Sequence, residues 1–279
     1  MIAANKQHLS ASQSCQILGV SESGYHRWMI REPKKDDPQL ISKIHAIKEE
    51  FFFYGYRRVD EELRRRGQKV NHKKVLRLMR KEKLIVVKKK VMPKTTQSNH
   101  SLKRYHNLLV NFVPTAINQA IVSDITYVPI LNKFAYLATL MDLWSRKIIG
   151  WYLSWDPDRY LTLSALNKAA KLRGAKNLQG CICHSDHGTQ YLCSDYINRL
   201  SELGMKPSMG EVGNSYDNAF AESLNKTIKY EAVYPNEFET FEEAKQDIAK
   251  HIKLYNCRRL HSGIGYLPPD EFEKNGGIK

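Results

Sequence analysis

The sequence lacks any segment that would insert into a membrane or direct secretion. No uninterrupted apolar run approaches the roughly 18 residues that a membrane-spanning helix needs, and the opening residues MIAANKQHLS contain no apolar signal core. We therefore expect a cytoplasmic protein. Its 279 residues, 42% of them hydrophobic, suffice for one large domain with a real core and a smaller second domain.

Cysteine is scarce, and its placement does not resemble a secreted disulfide scaffold. The five cysteines are an odd number and include no CxxC pair, so we expect reduced thiols. One group is dense enough in sequence to raise a zinc site as an alternative: Cys181, Cys183, His184, His187 and Cys193. Because Cys181 and Cys183 would share one face of a strand, packing as small hydrophobic side chains is the simpler interpretation.

Acidic residues are too few in the first part of the chain to balance its basic ones. Residues 1–110 hold 25 Lys and Arg against 10 Asp and Glu, whereas residues 111–279 hold 19 of each. The whole formal net charge of +15 therefore lies in the first 110 residues. Such a surface attracts a polyanion, which predicts a nucleic acid partner. On this interpretation, removal of residues 1–98 flattens the salt dependence of binding.

The sequence has no internal repeats and no low-complexity segments, but two linker-like stretches divide it. Residues 31–38 contain two prolines in a charged stretch, and residues 88–106 have no sustained apolar period. These stretches predict a helix-turn-helix-like segment over 1–36, a basic helical DNA-binding domain over 37–98, a linker over 99–111 and a larger domain over 112–279.

The N-terminal segment has the outline of two helices joined by a turn. A turn at 19–21 interrupts the helical pattern over 12–28, and Ser21 is a suitable N-cap for the second helix. Helix-turn-helix modules share this outline with helical hairpins that bind no DNA. Both interpretations of the segment stay open.

The basic domain is predicted to be helical throughout. Residues 39–53 form a first helix, and two more follow, with a break at Gly67 and Asn71 as the N-cap of the last. The apolar residues that can pack inward from the last helix are Val75, Leu78 and Met79. Basic residues recur every four positions on another face, at Lys73, Arg77 and Lys81. This stripe suits DNA phosphates, and simple solvation of the charges is the alternative.

The third part of the chain is rich in the β-branched and aromatic residues that favour strands. Strands are predicted over 119–130, 133–143, 147–153 and 181–185. Helices are predicted over 157–173, 191–203 and 215–231. Strands followed by alternating helix and strand make an α/β layered domain.

Three acidic residues of this domain occupy positions that a hydrophobic core does not use. Asp124 interrupts an apolar strand, where an unpaired buried carboxylate is strongly unfavourable. Asp186 follows a strand end, where ligands gather in open α/β sheets. Glu222 lies on a helix, about 160° to 200° away from an apolar stripe at helical spacing. The predicted stripe consists of Phe220, Leu224 and Ile228.

Each acid alone has a structural explanation, as an edge-strand, turn or solvent-facing helix residue. Three carboxylates from separate elements, however, are hard-oxygen ligands suited to Mg²⁺ or Mn²⁺. Two such ions, about 3.5–4 Å apart, can activate a nucleophile and stabilise the leaving oxygen of a phosphoryl displacement. A basic protein with this site would cut or join nucleic-acid strands.

The motifs around these acids resemble the Asp-Asp-35-Glu pattern of the retroviral-integrase superfamily. They are HSDHGTQY at 184–191 and GNSYDNAFAESLNKTIKYE at 213–231, with 35 residues between Asp186 and Glu222. Further blocks are similar to the OrfB transposases of the insertion-sequence-three family: YGYRR at 54–58, VNHKKVLRLMR at 70–80, SDITYVP at 123–129, LMDLWSRKIIGW at 140–151 and YNCRRLHSGIGYLPPDEF at 255–272. The resemblance covers nearly the whole chain.

This resemblance implies a ribonuclease-H-like catalytic fold, a mixed sheet flanked by helices, preceded by a small all-α helix-turn-helix-like region. Residues 112–279 are then an integrase-type catalytic core with a basic C-terminal tail. The resemblance assigns Asp124, Asp186 and Glu222 as catalytic residues and as ligands of two Mg²⁺ or Mn²⁺ ions. The implied activity is that of a DDE transposase, a polynucleotidyl transferase that cleaves DNA at insertion-sequence ends and transfers the strands.

The resemblance also implies partners and further site residues. The partners are element terminal repeats and target DNA, other copies of the chain in a synaptic complex, and an OrfA-type partner or fusion, with the protein on the bacterial nucleoid when DNA-bound. The DNA-contact candidates are Arg57, Arg58, Lys73, Lys74, Arg77, Asn218, Lys226, Lys229, Arg258 and Arg259. One position departs from the family, which usually has Trp three residues before the first acid, where this chain has Ile121. We expect altered packing there.

Other functions remain compatible with the residues. A domesticated or repressor-like relative would bind DNA without catalysis, and a ribonuclease-H-type nuclease would cut strands without joining them. A tyrosine recombinase could be imagined from Arg258, Arg259, His261 and Tyr266. Because no separate Arg and His-x-x-Arg elements accompany them, a basic loop near DNA is the simpler interpretation of these four residues.

Overall fold

The computed structural model describes residues 10–30, 36–86, 105–210 and 219–277. The chain divides into two compact units, residues 1–46 and residues 47–279. None of the helices within the described ranges is both long and apolar enough to cross a membrane.

The first unit contains the two predicted N-terminal helices, α1 (Ala11–Ile17) and α2 (Glu22–Met29). Ser10 caps α1 in a reciprocal capping box with Gln13, and the Ser21 hydroxyl accepts a hydrogen bond from the Gly24 N–H at 3.0 Å. The predicted turn and N-cap are therefore confirmed. Helix α3 (Pro38–Glu50) follows, close to the predicted span of 39–53.

Two further helices belong to the second unit, α4 (Tyr56–Arg65) and α5 (His72–Lys81). Gly67, between them, has a φ of +78°, a left-handed conformation that glycine adopts without strain. The Asn71 side chain caps α5 by accepting from the Lys73 N–H at 2.8 Å. The predicted inward residues of α5 are fully buried, and the predicted basic stripe, Lys73, Arg77 and Lys81, is exposed.

The described strands form one mixed sheet in the order β3-β2-β1-β4-β5. They are β1 (Ala120–Ile130), β2 (Lys133–Asp142), β3 (Ile148–Ser154), β4 (Ile182–Ser185) and β5 (Lys206–Met209). The first three pair antiparallel, whereas β4 is parallel to both β1 and β5. The first four strands were predicted to within a residue or two. The sequence of β5, KPSM, is short and contains a proline, so its pattern gave no strand prediction.

Helices cover both faces of the sheet, as the predicted fold class requires. One face carries α6 (Arg159–Arg173), α7 (Thr189–Leu192) and α8 (Ser194–Glu202). The other carries α9 (Ala219–Ile228) and α10 (Phe241–Cys257), and α11 (Pro269–Lys274) packs against α10. This mixed sheet between helical layers, preceded by a helical region, is the ribonuclease-H-like integrase-core arrangement.

Two predicted helices differ from the structure. The helix predicted over 191–203 is broken at Cys193, whose extended backbone separates α7 from α8. The helix predicted over 215–231 is α-helical only to Ile228 and continues as a π-helical turn, Lys229–Val233. Its first predicted residues, 215–218, lie outside the described ranges. Ile121, the position that departs from the family, is fully buried in the core beneath α6, α7 and α8.

Candidate active site

One predicted acid lies on a strand, and a second directly follows the adjacent parallel strand. Strands β1 and β4 pair with Val122 opposite His184. Extending this register by two residues places Asp124 opposite Asp186, which directly follows the end of β4. Because side chains alternate between faces with a period of two, both carboxylates lie on the face that α9 covers.

Helix α9 brings the third acid to the same place. Its Asn225 is only 6% exposed, and its side-chain amide donates to Asp124 Oδ2 at 2.8 Å. Glu222 lies three residues earlier, hence on the same side of the helix. Its charge contributes to raising the pKa of Asp124, as does the charge of Asp186. The predicted acids therefore face one region of the molecule.

The environment of Asp124 disfavours a negative charge. Burial, and then the Asp186 carboxylate, raise the pKa of Asp124 to about 7, although hydrogen bonds from the Ile125 N–H and the Asn225 amide act in the opposite direction. Burial also raises the pKa of Asp186, partly offset by the Gly188 N–H, which donates to its Oδ1 at 3.1 Å. Two desolvated carboxylates at one level of a sheet are stabilised as anions by a cation. Hard oxygen donors of this kind fit Mg²⁺ or Mn²⁺.

The acids are not gathered around a single point. Within the described ranges, no three His, Cys, Asp or Glu side chains stand close enough together to hold one metal ion. Each carboxylate instead has a partner within the protein. Asp124 accepts from the Ile125 N–H, Asp186 accepts from the Gly188 N–H, and Glu222 Oε2 lies 3.4 Å from Lys226 Nζ.

The cysteines that raised a zinc alternative pack in the core. Cys181 and Cys183 are buried beneath α6, α7 and α8, and burial raises the pKa of both thiols. Cys183 Sγ lies 3.4 Å from the Tyr196 hydroxyl. A protonated, buried thiol is a small hydrophobic side chain and a poor metal ligand, which favours the packing interpretation.

Helix α9 presents a different core stripe from the predicted one. Leu224 and Ile228 are buried as predicted, but Phe220 is 48% exposed, and the stripe is completed by Ala221 and Asn225. The basic candidates beside the acids differ in environment. Lys226 is exposed, whereas Lys229 is half-buried with its ammonium 3.7 Å from the centroid of the Tyr127 ring.

The remaining DNA-contact candidates fall into two groups. Arg57, Lys73 and Arg77 are exposed and Lys74 is half-buried, so these positions are compatible with the expectation. Asn218 lies outside the described residues. The other three, Arg58, Arg258 and Arg259, lie in or beside an internal contact.

The contact joins the YGYRR turn at 54–58 to the C-terminal tail. The Tyr54 hydroxyl, fully buried, accepts from the Leu260 N–H at 2.7 Å, and Arg58 Nε donates to the Leu260 carbonyl at 3.0 Å. Arg258 pairs with Glu50. These residues hold α4 against the tail, a role that the basic character of both motifs did not reveal.

Arg259 is the clearest correction. Its side chain is 3% exposed, and Nε and Nη2 both donate to the Glu231 carboxylate at 2.6 Å. A buried guanidinium with both of these donors engaged cannot contact a DNA phosphate, so its prediction as a DNA contact is wrong. The alternative of a tyrosine recombinase also relied on Arg259, so the burial of this side chain disfavours that alternative.

Family models match most of the chain. A model described as HTH-like domain matches residues 35–91, and two models described as integrase core domain match residues 114–215 and 203–269. Solved structures align more loosely. The HTLV-2 integrase catalytic core domain in complex with magnesium has a TM-score of 0.43 and 17% identity over 57% of this chain and 97% of that chain. The simian T-cell lymphotropic virus intasome in complex with PP2A regulatory subunit B56 gamma has a TM-score of 0.49 and 15% identity over 84% and 74%.

Relatives in bacteria match over nearly their full lengths. The insertion element IS600 uncharacterized 31 kDa protein of Shigella sonnei is 37% identical over 93% of this chain and 97% of that protein. The putative transposase for IS986/IS6110 of Mycobacterium tuberculosis is 33% identical over 92% and 95%, and transposase InsF for IS3A of Escherichia coli is 31% identical over 98% and 96%. The chain therefore belongs to the OrfB-like transposases of the insertion-sequence-three family, with an HTH-like domain and an integrase core.

Proposed function

We propose that this transposase cleaves DNA at the ends of its insertion sequence and transfers the strands to new DNA, with Asp124, Asp186 and Glu222 as its catalytic residues. The proposal is supported by the parallel pairing of β1 with β4 through Val122 and His184, two residues before Asp124 and Asp186, and by Asn225 of the Glu222 helix, which donates to Asp124. Phosphodiester transfer by an integrase core needs groups that stabilise the charge of the attacking and leaving oxygens.

The three acids would hold two Mg²⁺ or Mn²⁺ ions, which supply activation of the attacking oxygen and charge stabilisation when bound. Asn225 and the Ile125 N–H orient the Asp124 carboxylate, and the Gly188 N–H orients that of Asp186. Lys226 and Lys229 follow Glu222 at i+4 and i+7, where their charges favour a phosphate near the acids.

DNA is the proposed partner of the basic helical region as well. The exposed stripe of α5, Lys73, Arg77 and Lys81, offers three cations on one face of a capped helix. Phosphate contacts of this kind position a duplex without reading its sequence. Binding of two element ends further requires several copies of the chain, and we propose a homo-oligomer. We also propose an OrfA-type product, bound or fused to this chain, as a second partner.

The first test removes one carboxylate charge. We expect Asp186→Asn to abolish cleavage and strand transfer in Mn²⁺ while leaving DNA affinity nearly unchanged, because it removes a metal ligand and no phosphate contact. Asp195→Asn, an exposed acid on α8, serves as the matched control and should cut and join like the parent. Full activity of Asp186→Asn would contradict the site assignment.

Product analysis separates this proposal from its alternatives. Incubation with element-end DNA, Mn²⁺ and the OrfA product should yield both nicked ends and joined strands. Nicked ends alone would indicate a ribonuclease-H-type nuclease, and binding without nicks would indicate a repressor-like relative.

A further inference from the structure

A cleft of about 170 Å³ opens beside α9, on a side that does not face the acids. Its lining includes Arg146 from the β2–β3 turn, Phe220, Ser223 and Thr227 from α9, and Ser262 from the tail. Successive side chains on a helix turn by about 100°, so Ser223 and Thr227 point about 100° and 140° away from Glu222. An α-helix with its side chains is about 10–12 Å across, so the width of α9 separates the cleft from Glu222 by roughly that distance.

Arg146 lies in the hydrogen-bonded turn between β2 and β3 and carries a buried donor on its side chain that no described residue satisfies. Its φ is +63°, a left-handed backbone that non-glycine residues adopt at a cost. Its Nη1 is buried and has no hydrogen-bond partner within the described residues. Burial lowers the pKa of this guanidinium. A buried N–H of a cation without an acceptor is unfavourable, so we expect a water molecule or a bound ligand to meet Nη1.

Phe220 provides the second observation. The Arg146 Cζ lies 4.0 Å from the centroid of the Phe220 ring, a close cation–π contact that orients the guanidinium. The ring is nevertheless 48% exposed, although it lies on a helix whose neighbouring residue Ala221 is buried. An exposed aromatic ring beside an arginine is the pair of groups that binds one nucleotide of a single strand, through base stacking and phosphate contact.

The rest of the lining has an apolar part, formed by Met141, Leu224 and Tyr255, and a polar part that fits an anion. The hydroxyls of Ser223, Thr227 and Ser262 can donate to a phosphate, and no acidic side chain occurs among the described residues that line the cleft. A base inside a duplex cannot stack on Phe220, because its neighbours in the stack cover both of its faces. The cleft therefore suits a nucleotide that is no longer stacked in the DNA duplex.

We propose that this cleft binds one unpaired nucleotide of the DNA substrate, with its phosphate on Arg146 and its base against Phe220. The proposal rests on DNA being the substrate of the neighbouring acids. It extends the site beyond the three carboxylates and adds a preference for frayed or single-stranded DNA next to the position of cleavage.

The test is DNA affinity of the full chain, measured by fluorescence anisotropy in EDTA so that no cleavage occurs. The probes are a blunt duplex and the same duplex with a single-stranded 3′ tail. We expect Arg146→Gln to weaken binding of the tailed probe about tenfold and to reduce the salt slope by about 1. Phe220→Ala should weaken the tailed probe by a similar factor and leave the blunt duplex unaffected. Arg199→Gln, on α8 beneath the opposite face of the sheet, is the matched control and should bind both probes like the parent.

A second variant separates ligand binding from a role in folding. Arg146→Gly adopts the observed backbone without strain, so we expect an unchanged or raised melting temperature together with the same loss of affinity for the tailed probe. A lowered melting temperature with unchanged affinity would show that Arg146 is structural and would overturn the proposal. Equal effects of each variant on tailed and blunt probes would also overturn it.

Failure of this proposal is distinguishable from failure of the proposed catalysis. The difference in affinity between the tailed and blunt probes in EDTA reports on the cleft, whereas nicking in Mn²⁺ reports on the acids. If the protein binds the tailed probe through Arg146 but makes no nicks, the cleft proposal stands and the catalytic assignment is contradicted. If the protein nicks normally and Arg146→Gln binds like the parent, the catalytic assignment stands and the cleft proposal is contradicted.

Discussion

The amide of Asn225 connects a helix to the strand that carries Asp124. Its nitrogen donates to Asp124 Oδ2, and its oxygen lies 3.5 Å from the hydroxyl of Thr139, the residue opposite Asp124 on β2. Both ends of the amide are therefore used, which fixes its orientation and that of the carboxylate. Such outer hydrogen bonds to a metal ligand control its position and basicity.

We expect Asn225→Ala to lower the single-turnover rate of DNA cleavage by about 10- to 100-fold, because the Asp124 carboxylate loses its orienting donor. DNA affinity should stay unchanged, since the buried amide does not face solvent. Asn167→Ala, an exposed amide on α6, controls for the loss of an amide elsewhere. An Asn225→Ala variant with the parent rate would show that the Asp124 carboxylate is held by other groups.

The raised pKa of Asp124 predicts a pH effect on stability in the absence of metal. The folded-state pKa of about 7 lies above the ordinary value of 3.8, so between these values the folded protein binds more protons than the unfolded one. The contribution of this group to stability is present below about pH 4 and is lost as pH rises towards 7. We expect Asp124→Asn to raise the melting temperature of the metal-free protein at pH 8, to change it little at pH 4, and to abolish cleavage. An equal shift at both pH values would contradict this assignment.

At the level of single residues, the sequence indicated the three acids but not the residues that orient their carboxylates. Asp124 stood out because it interrupts an apolar strand, Asp186 because it follows a strand end, and Glu222 because it lies away from the apolar stripe of its helix. Asn225 was missed because an amide one turn after Glu222 looks like a surface residue until the sheet is placed beneath it. Phe220 was misassigned to the core because spacing alone does not say which of two adjacent stripes, 220/224/228 or 221/224/228, is buried.

Between secondary-structure elements, the contact of the YGYRR turn with the C-terminal tail, here called the joint, depends on one buried ion pair. Glu231 lies in the π-helical turn after α9 and is 8% exposed, and its partner Arg259 directly precedes Leu260, which Tyr54 and Arg58 bind. Removal of one member of a buried pair leaves an uncompensated charge in a site with little solvent.

We expect Arg259→Met to lower the free energy of unfolding by about 3–5 kcal/mol, measured by urea denaturation. The double change Glu231→Leu with Arg259→Met should be less harmful than Arg259→Met alone, because it leaves no buried charge. Arg258→Met, beside it but exposed, should cost at most about 1 kcal/mol. Equal losses for Arg258→Met and Arg259→Met would show that the burial of the Glu231 pair has no energetic role.

Long elements were predictable from the sequence where their pattern was local. β1, β2 and α6 carry sustained apolar patterns and were predicted to within a residue or two. Helix α10 was missed although a start signal was present, since Thr240 accepts from the Glu243 N–H in the Thr-x-x-Glu pattern of an N-cap. The break between α7 and α8 depends on tertiary packing and has no local signal.

The excess positive charge of the whole chain lies in its first 110 residues, before the three acids in sequence. The sequence predicted that removal of residues 1–98 would flatten the salt dependence of DNA binding. That truncation would also delete Tyr54 and Arg58, which bind Leu260 of the C-terminal tail. A loss of folding would then obscure the effect on DNA binding. Point substitutions on α5 test the same idea while the joint stays intact.

We expect the triple change Lys73→Gln, Arg77→Gln and Lys81→Gln to reduce the slope of log affinity against log salt by up to about 3, since each phosphate contact contributes about 0.9. Anisotropy titrations at several salt concentrations measure this slope. The matched control changes the three exposed lysines of α10, Lys245, Lys250 and Lys253, to glutamine. If both triple variants shift the slope equally, the partner responds to net charge and not to α5.

The joint between the YGYRR turn and the tail has a consequence for how copies of this gene decay. A stop codon directly after Tyr255 deletes fewer than one tenth of the residues and spares every proposed catalytic acid. It nevertheless strips Glu231 of its counter-charge and removes the Leu260 backbone that Tyr54 and Arg58 bind. Loss of the residues after Tyr255 is therefore expected to destabilise the fold although all three acids are retained.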